Sequence, residues 1–256
     1  MPEFSTTARD GHLLIVSLSR PDVLNALHPP ANRELAQVFD EFAADPELWV
    51  AILTGEGRGF CAGNDLKYQA TGGDMSGQPE TGFAGLTNRF DLLKPVIAAV
   101  NGVAMGGGFE IALACDLIIA SEDATFALPE PRVGLAALAG GIHRLPRQIG
   151  VKNAMGMLLT GRRVSAAEGE RLGFVNEVVP KGEALVGAKR WAAEILECAP
   201  LSVRASKQAA YQGLERGLRE AMAGHYDELR RMVKSEDFVE GPKAFAEKRP
   251  PRWKGR

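Results

Sequence analysis

Cysteine is scarce in this 256-residue chain, and the three present (Cys61, Cys115, Cys198) are odd in number and widely spaced. None forms a CxxC pair and the four histidines form no HExxH, so neither a disulfide framework nor a metal site is expected. Reduced thiols in a cytoplasmic protein fit best. An excess of one charge is also missing: 30 Lys and Arg against 32 Asp and Glu leave a net charge of −2. A nucleic-acid binder working through a broad basic face is therefore disfavoured. No apolar run approaches the roughly 18 residues of a membrane helix, and Met1-Pro2-Glu3-Phe4 lacks the basic-then-apolar pattern of a secretory leader. GxSxG is absent, and no Ser or Cys adjoins a plausible base, which speaks against a covalent hydrolase. What remains is ordinary globular composition, 45% apolar and 24% charged, enough for one large domain with a full-size core.

Glycine, by contrast, is plentiful and concentrated. The apolar run Pro95 to Val100 reads as a buried strand, and it leads into Asn101-Gly102-Val103-Ala104-Met105-Gly106-Gly107-Gly108. A short apolar segment, Ile111 to Cys115, then reads as a buried helix. Consecutive glycines let the backbone approach a ligand and adopt positive φ, at a cost in chain entropy. Where a helix begins, they leave N–H groups facing outward at the positive end of the dipole, a setting that binds anions or stabilises one as it forms. A second glycine-rich stretch, Gly55 to Leu66, follows another buried strand, Val50 to Thr54. Two such turns can bring two N–H donors to one carbonyl oxygen. Glu110 and Glu130 lie close to these turns among apolar and proline neighbours, and paired carboxylates in a dry cleft can move a proton and hold a water.

Around these stretches the chain alternates strand and helix. Leu13 to Leu18 reads as a strand, Val23 to Leu27 as a loop, and Pro29-Pro30 opens a helix carrying Leu35, Val38, Phe39 and Phe42 on one face. Lys67 to Gly82 reads as a mobile surface loop, and Phe83, Leu86, Phe90 and Leu93 mark a helix before Pro95. Leu117 to Ala120 and Ala124 to Ala127 are short strands, and Val151 to Leu159 a helix. Ser165-Ala166-Ala167-Glu168 is a capping box for a helix that Gly173 closes, and Val175 to Val179 is the last strand. Beyond Lys181 all is helical, with apolar stripes at Leu185, Ala188, Ala192, Ile195 and at Leu218, Met222, Leu229, Met232. Gly241-Pro242 is expected to break the chain before a short final helix. The fold class is α/β, with a core over residues 1–198 and a helical region over 199–256 whose apolar stripes need the core or another subunit.

Arg20-Pro21-Asp22-Val23-Leu24-Asn25-Ala26-Leu27, Gly59-Phe60-Cys61-Ala62-Gly63-Asn64-Asp65-Leu66, Asn101 through Asp116, Leu128-Pro129-Glu130 and Ala244 through Arg249 occur in this order. Together they resemble the successive motifs of the crotonase (enoyl-CoA hydratase/isomerase) superfamily, over nearly the whole chain. The resemblance implies a spiral of ββα turns, C-terminal helices that form a homotrimer, and a hexamer as a dimer of trimers. It implies an acyl-CoA substrate with no separate cofactor, coenzyme A being part of the substrate. By position the oxyanion-hole donors are Asn64 and Gly107. Glu110 matches the glutamate that activates water and Glu130 the acid that exchanges a proton with the α-carbon. Coenzyme A contacts fall on Val23, Leu24, Ala26, Ala62, Asp65 and Leu66, while Phe245 and Lys248 match tail residues that reach a neighbouring subunit's coenzyme A. Family hydratases keep both glutamates, so hydration of a trans-2-enoyl-CoA is favoured over isomerisation.

Two departures bear on the substrate. Ala137-Leu138-Ala139-Gly140-Gly141 stands where the family usually has Pro-Gly-x-Gly-Gly, so Leu138 is expected to reshape the acyl pocket. Asn64 replaces the commoner alanine at the first oxyanion position, and its amide could bond a polar acyl group. Phe126 through Glu130 and the basic ending are similar to the carnitinyl-CoA dehydratase branch, which acts on such a group. His143, beside Arg144, is read as structural, and Cys61 as a small core residue.

Overall fold

The computed structural model describes residues 3–256. Its strands are β1 (Ser5–Asp10), β2 (Leu13–Leu18), β3 (Val50–Gly55), β4 (Gly59–Cys61), β5 (Val96–Val100), β6 (Val103–Met105), β7 (Leu117–Ser121), β8 (Thr125–Ala127), β9 (Val164–Ser165) and β10 (Glu177–Val179). The near-continuous apolar runs of β2, β3, β5 and β7 lie side by side in parallel, as expected of strands buried on both faces. Antiparallel β1 and parallel β10 complete this sheet in the order β1-β2-β3-β5-β7-β10. The second sheet has the order β4-β6-β8-β9.

The chain feeds the two sheets in alternation. Each of β3, β5 and β7 is followed within a few residues by a short strand of the second sheet, β4, β6 or β8. Helix α1 (Pro29–Ala44) precedes β3, α2 (Leu66–Ala70) follows β4, and α3 (Gly107–Ala114) follows β6. This is the ββα spiral, and it stacks the turns that leave β4 and β6 side by side. Phe39, Phe42, Phe60, Phe109 and Phe126 are fully buried in the main core. Phe109, Phe126 and Phe174 pack with ring centroids 5.0–5.2 Å apart.

After the spiral come α4 (Gly141–Ile149), α5 (Val151–Leu158), α6 (Ala166–Leu172) and α7 (Ala184–Leu196). Ser165 caps α6 through the N–H of Glu168, and Gly173 ends it at φ +97°. Helix α7 lays Ala184, Ala188 and Ala192 over Ile15, Ile52, Ile97 and Ile119 on the outer sheet face. The chain ends with α8 (Pro200–Gly213), α9 (Leu218–Met222), α10 (Asp227–Met232) and α11 (Glu236–Ala246). Lys207 on α8 reaches Asp116 at 2.7 Å and ties this region to the sheet.

Five local expectations are corrected. The glycine-rich stretches contain strands β4 and β6, whose three-residue lengths fall below any readable periodicity. Residues 67–82 are not all loop, because Asp65 accepts the N–H of Tyr68 at 3.0 Å and starts α2. Residues 83–93 form a 3₁₀ turn, Phe83–Gly85, with positive φ at Gly82, Ala84 and Gly85 instead of a helix. A Cβ on Gly85 would lie 2.4 Å from the Cα of Ala36, so this close approach to α1 overrides the helical spacing. Finally, the 218–232 stripe divides into α9 and α10, with the Tyr226 hydroxyl donating to Ala221 O across the corner. Gly241-Pro242 lies inside a continuous α11.

Candidate active site

The neighbouring parallel strands β4 and β6 end in the two glycine-rich turns, which pack backbone against backbone. Gly63 has φ +91°, and a Cβ there would stand 2.6 Å from Met105 O and 3.0 Å from Gly107 N. A Cβ on Gly108 would stand 2.0 Å from Cys61 O. Only glycine permits either approach. Gly106, at φ +52°, begins α3 without a side-chain cap. Among the described residues the N–H groups of Asn64 and Gly107 donate to no protein acceptor. Two free donors on touching turns, one at a helix N-terminus, suit a developing oxyanion.

Glu110 occupies the first turn of α3 and is 3% exposed. Its Oε1 accepts the N–H of Gly141 at 2.8 Å, at the start of α4. Burial pushes its pKa up from 4.5 to about 7, the charge of Glu130 adds to the rise, and the amides of Gly141 and Ala139 pull against it. Glu130 follows β8 at the head of a 3₁₀ turn, Glu130–Val133. Burial raises its pKa as well. Its Oε1 lies 2.9 Å from where a Cβ on Gly106 would stand, which places it over the second glycine turn. Its Oε2 is buried and, among the described residues, has no hydrogen-bond partner. Such an orphan needs a substrate or water to satisfy it.

The 20–27 loop is held against the first turn: Ala62 donates to Leu24 O, Leu27 to Gly63 O and Asp65 to Leu27 O. Leu24 and Asn25 have φ +52° and +57°. Asn25, fully buried, secures this shape by donating to Glu56 O and Gly59 O at 2.9 and 2.8 Å. Arg20 donates to Ala26 O and pairs with Asp65 at 3.0 Å. Val23 and Leu24 are half-buried, Ala26 is buried, and Leu66 is 47% exposed at the turn's outer side. Asp65 is 6% exposed, so its carboxylate serves the loop junction directly.

The remaining residues singled out in the sequence sit as follows. The Asn64 side chain donates to Gln69 Oε1 at 3.1 Å in an exposed contact. Leu138 is 78% exposed in the isolated chain and its N–H goes to Ala136 O. The amides beside Glu110 are those of Ala139 and Gly141. Phe245 is 88% exposed and Lys248 is exposed on α11 and the turn after it. His143 is exposed, and Cys61 is buried with its thiol pushed up to about 12 by burial. Sequence reasoning missed Gly141 as the amide that holds Glu110; the only signal was a Gly-Gly pair at the head of a helix. It also missed Phe83, whose ring lies against Gly107.

A family model described as enoyl-CoA hydratase/isomerase matches residues 9–256. A protein named carnitinyl-CoA dehydratase from Proteus mirabilis (strain HI4320) is 46% identical over 252 residues, 96% of each chain. Another so named, from Salmonella typhi, is 44% identical and covers 100% of both chains. The crystal structure of an enoyl-CoA hydratase from Mycobacterium tuberculosis H37Rv superposes with a TM-score of 0.93 at 39% identity, covering 99% of each chain. That of an enoyl-CoA hydratase from Bacillus anthracis gives a TM-score of 0.91 at 34% identity, covering 99% of this chain and 100% of that one.

Proposed function

The chain belongs to the enoyl-CoA hydratase/isomerase family and is a lyase of its acyl-CoA chemistry, and we propose that it adds water reversibly and syn across the 2,3 double bond of a trans-2-enoyl-CoA thioester. The observation that carries this reading is the pair of desolvated acids, Glu110 and Glu130, beside two amides at touching turns that have no protein acceptor among the described residues. The thioester oxygen accepts from the N–H groups of Asn64 and Gly107. As charge moves onto that oxygen, each donor contributes about 3 kcal/mol in the transition state. Glu110, ionised and held by the Gly141 amide, takes a proton from water while the water oxygen bonds to the β-carbon. Protonated Glu130 delivers a proton to the α-carbon of the enolate. Coenzyme A enters as part of the substrate, over the 20–27 loop and the 62–66 turn.

Turnover of crotonyl-CoA, followed by loss of the conjugated-thioester absorbance, tests the reading. Glu110→Gln and Glu130→Gln are each expected to cut turnover by at least about 10²-fold while acyl-CoA binding changes little. Full turnover in both variants would refute it. A polar acyl group is the second reading, favoured by the relatives named carnitinyl-CoA dehydratase at 44–46% identity. The exposed Asn64–Gln69 amide pair beside the first oxyanion donor supports it too. A ratio of kcat/KM for crotonobetainyl-CoA over crotonyl-CoA above one selects this second reading.

The assembly belongs to the same proposal. Leu214, Leu218 and Met222 are 82%, 77% and 82% exposed in the isolated chain, so residues 199–256 offer an apolar surface to further copies. A homotrimer, or a dimer of trimers, would cover it and bring Phe245 and Lys248 toward a neighbour's coenzyme A. Among the described residues no helix is long and apolar enough to cross a membrane. The three cysteines are free thiols, which supports a cytoplasmic location.

A further inference from the structure

Helix α4 opens with a charge in an unfavourable place. Arg144 stands in its first turn, at the positive end of the helix dipole, where a cation is disfavoured. The side chain is half-buried, and burial works against its charge. Arg20, Arg89 and Arg204, likewise withdrawn from water, each pair with a carboxylate at 2.7–3.0 Å. Among the described residues Arg144 pairs with none. Its guanidinium donates to Thr87 O at 2.7 Å and lies over the Phe90 ring, 5.7 Å from the centroid. A carbonyl and a ring face attract a cation without neutralising it. Departures of this kind from local rules gather at functional sites.

Only Gly140 and Gly141 lie between this cation and Glu110. A Cβ on Gly140 would strike the Arg144 guanidinium, 3.3 Å from Cζ, and one on Gly141 would stand 3.1 Å from Cγ and Oε1 of Glu110. Cation and carboxylate therefore flank the same two glycines, and the second glycine's N–H holds Glu110 at 2.8 Å. The other groups nearby leave the pair to itself. Cys115 at the end of α3 and Tyr211 of α8 both face Arg144, and burial keeps both protonated. Asp116 is taken by Lys207 of α8 at 2.7 Å. Thr87 and Phe90 carry no charge, and His143 is exposed. On Glu110 itself the charge of Glu130 acts upward and that of Arg144 downward. We infer that Arg144 is a positioning residue for Glu110, the counter-charge that holds its carboxylate ionised on the Gly141 amide beside a second acid. The inference rests on the reading that Glu110 is the base that takes a proton from water.

The test uses the full chain with Arg144→Gln and Arg144→Met, which remove the charge, and Arg144→Lys, which keeps it. Tyr211→Phe is the control, altering a neighbour of Arg144 without changing charge. The acid limb of kcat/KM for crotonyl-CoA is recorded from pH 5 to 9. In parallel the Glu110 carboxyl is titrated by carbon NMR without substrate, its signal identified by its loss in Glu110→Gln. The neutral variants are expected to move both readings up by about one unit, the low end for loss of a single opposite charge. Because Glu110 titrates at about 7, kcat/KM then falls about fivefold at pH 7 and less than about twofold at pH 9. A purely structural defect would lower it by one factor at every pH. Arg144→Lys and Tyr211→Phe should stay within about 0.3 unit of the native chain. An unmoved carboxyl titration in the neutral variants overturns the inference, as does an equal rise in Arg144→Lys. If Arg144→Gln does not fold, Arg144→Met decides. A carboxyl that titrates higher while the kinetic limb stays fixed upholds the role of Arg144 and removes Glu110 as the base.

Discussion

Glu110 is where burial, hydrogen bonding and chemistry meet in one side chain. As the proposed water-activating base, with its pKa raised to about 7, it must be ionised to act, so kcat/KM is expected to fall as pH drops through about 7. A pH–rate profile checks this; a profile flat from pH 5 to 8 would assign the base elsewhere. The same shift has a stability consequence. A carboxyl whose folded pKa exceeds its unfolded value favours the folded state at low pH, and that contribution is lost as pH rises from about 4.5 to about 7. The rise from 4.5 to about 7 corresponds to up to about 3 kcal/mol. Glu110→Gln keeps an acceptor for the Gly141 N–H and removes the buried charge, so it should be more stable than the native chain at pH 8 in urea denaturation, and not at pH 4. Both acids were legible in the sequence as carboxylates among apolar and proline neighbours. Their partners were not, because the Gly141 amide comes from 31 residues away and nothing local points to it. Asp65 was read toward coenzyme A, yet its oxygens are taken by Arg20 and Tyr68, a pairing that depends on how the 20–27 loop folds back.

At the scale of elements, the long strands and helices were readable because each has a full apolar run or stripe. The glycine turns were readable as turns, but β4 and β6 inside them were not, since three residues show no period. The 82–90 segment misled for a different reason: its apolar residues keep helical spacing while contacts with α1 and α4 impose left-handed backbone. The turns themselves give a sharp prediction. Gly108→Ala would drive a methyl into Cys61 O and force β4 away from α3. It should destabilise the chain by about 1–3 kcal/mol. Turnover should fall further than that loss of stability explains, because the distance between the two proposed oxyanion donors changes. Chemical denaturation and kcat under conditions where the variant is fully folded separate the two effects. An active, equally stable variant would show that the turns are not in contact in solution.

For the whole molecule, the spiral brings residues 20–27, 62–66, 105–110 and 130 to one place although up to about a hundred positions separate them. The meeting of the two glycine turns was read from the residues themselves, whereas the approach of the 20–27 loop to them followed only from the resemblance of ordered motifs. The C-terminal region closes on the core through Lys207 and Asp116 but leaves Phe245 and several apolar side chains outside. If a neighbour's tail covers coenzyme A, Phe245→Ala should raise KM for enoyl-CoA several-fold with little change in kcat, and sedimentation should return a multiple of three chains. A monomeric, fully active protein would remove Phe245 and Lys248 from the site.

The account turns on a thioester oxygen seated between two backbone amides with an acid on either adjoining carbon. A crystal structure with acetoacetyl-CoA, whose enolate resembles the charged intermediate, tests this most directly. The account predicts its thioester oxygen about 2.7–3.1 Å from both the Asn64 and Gly107 nitrogens, with the Glu110 and Glu130 carboxylates facing the neighbouring carbons. A thioester oxygen bound to only one of those amides, or turned toward solvent, would contradict it.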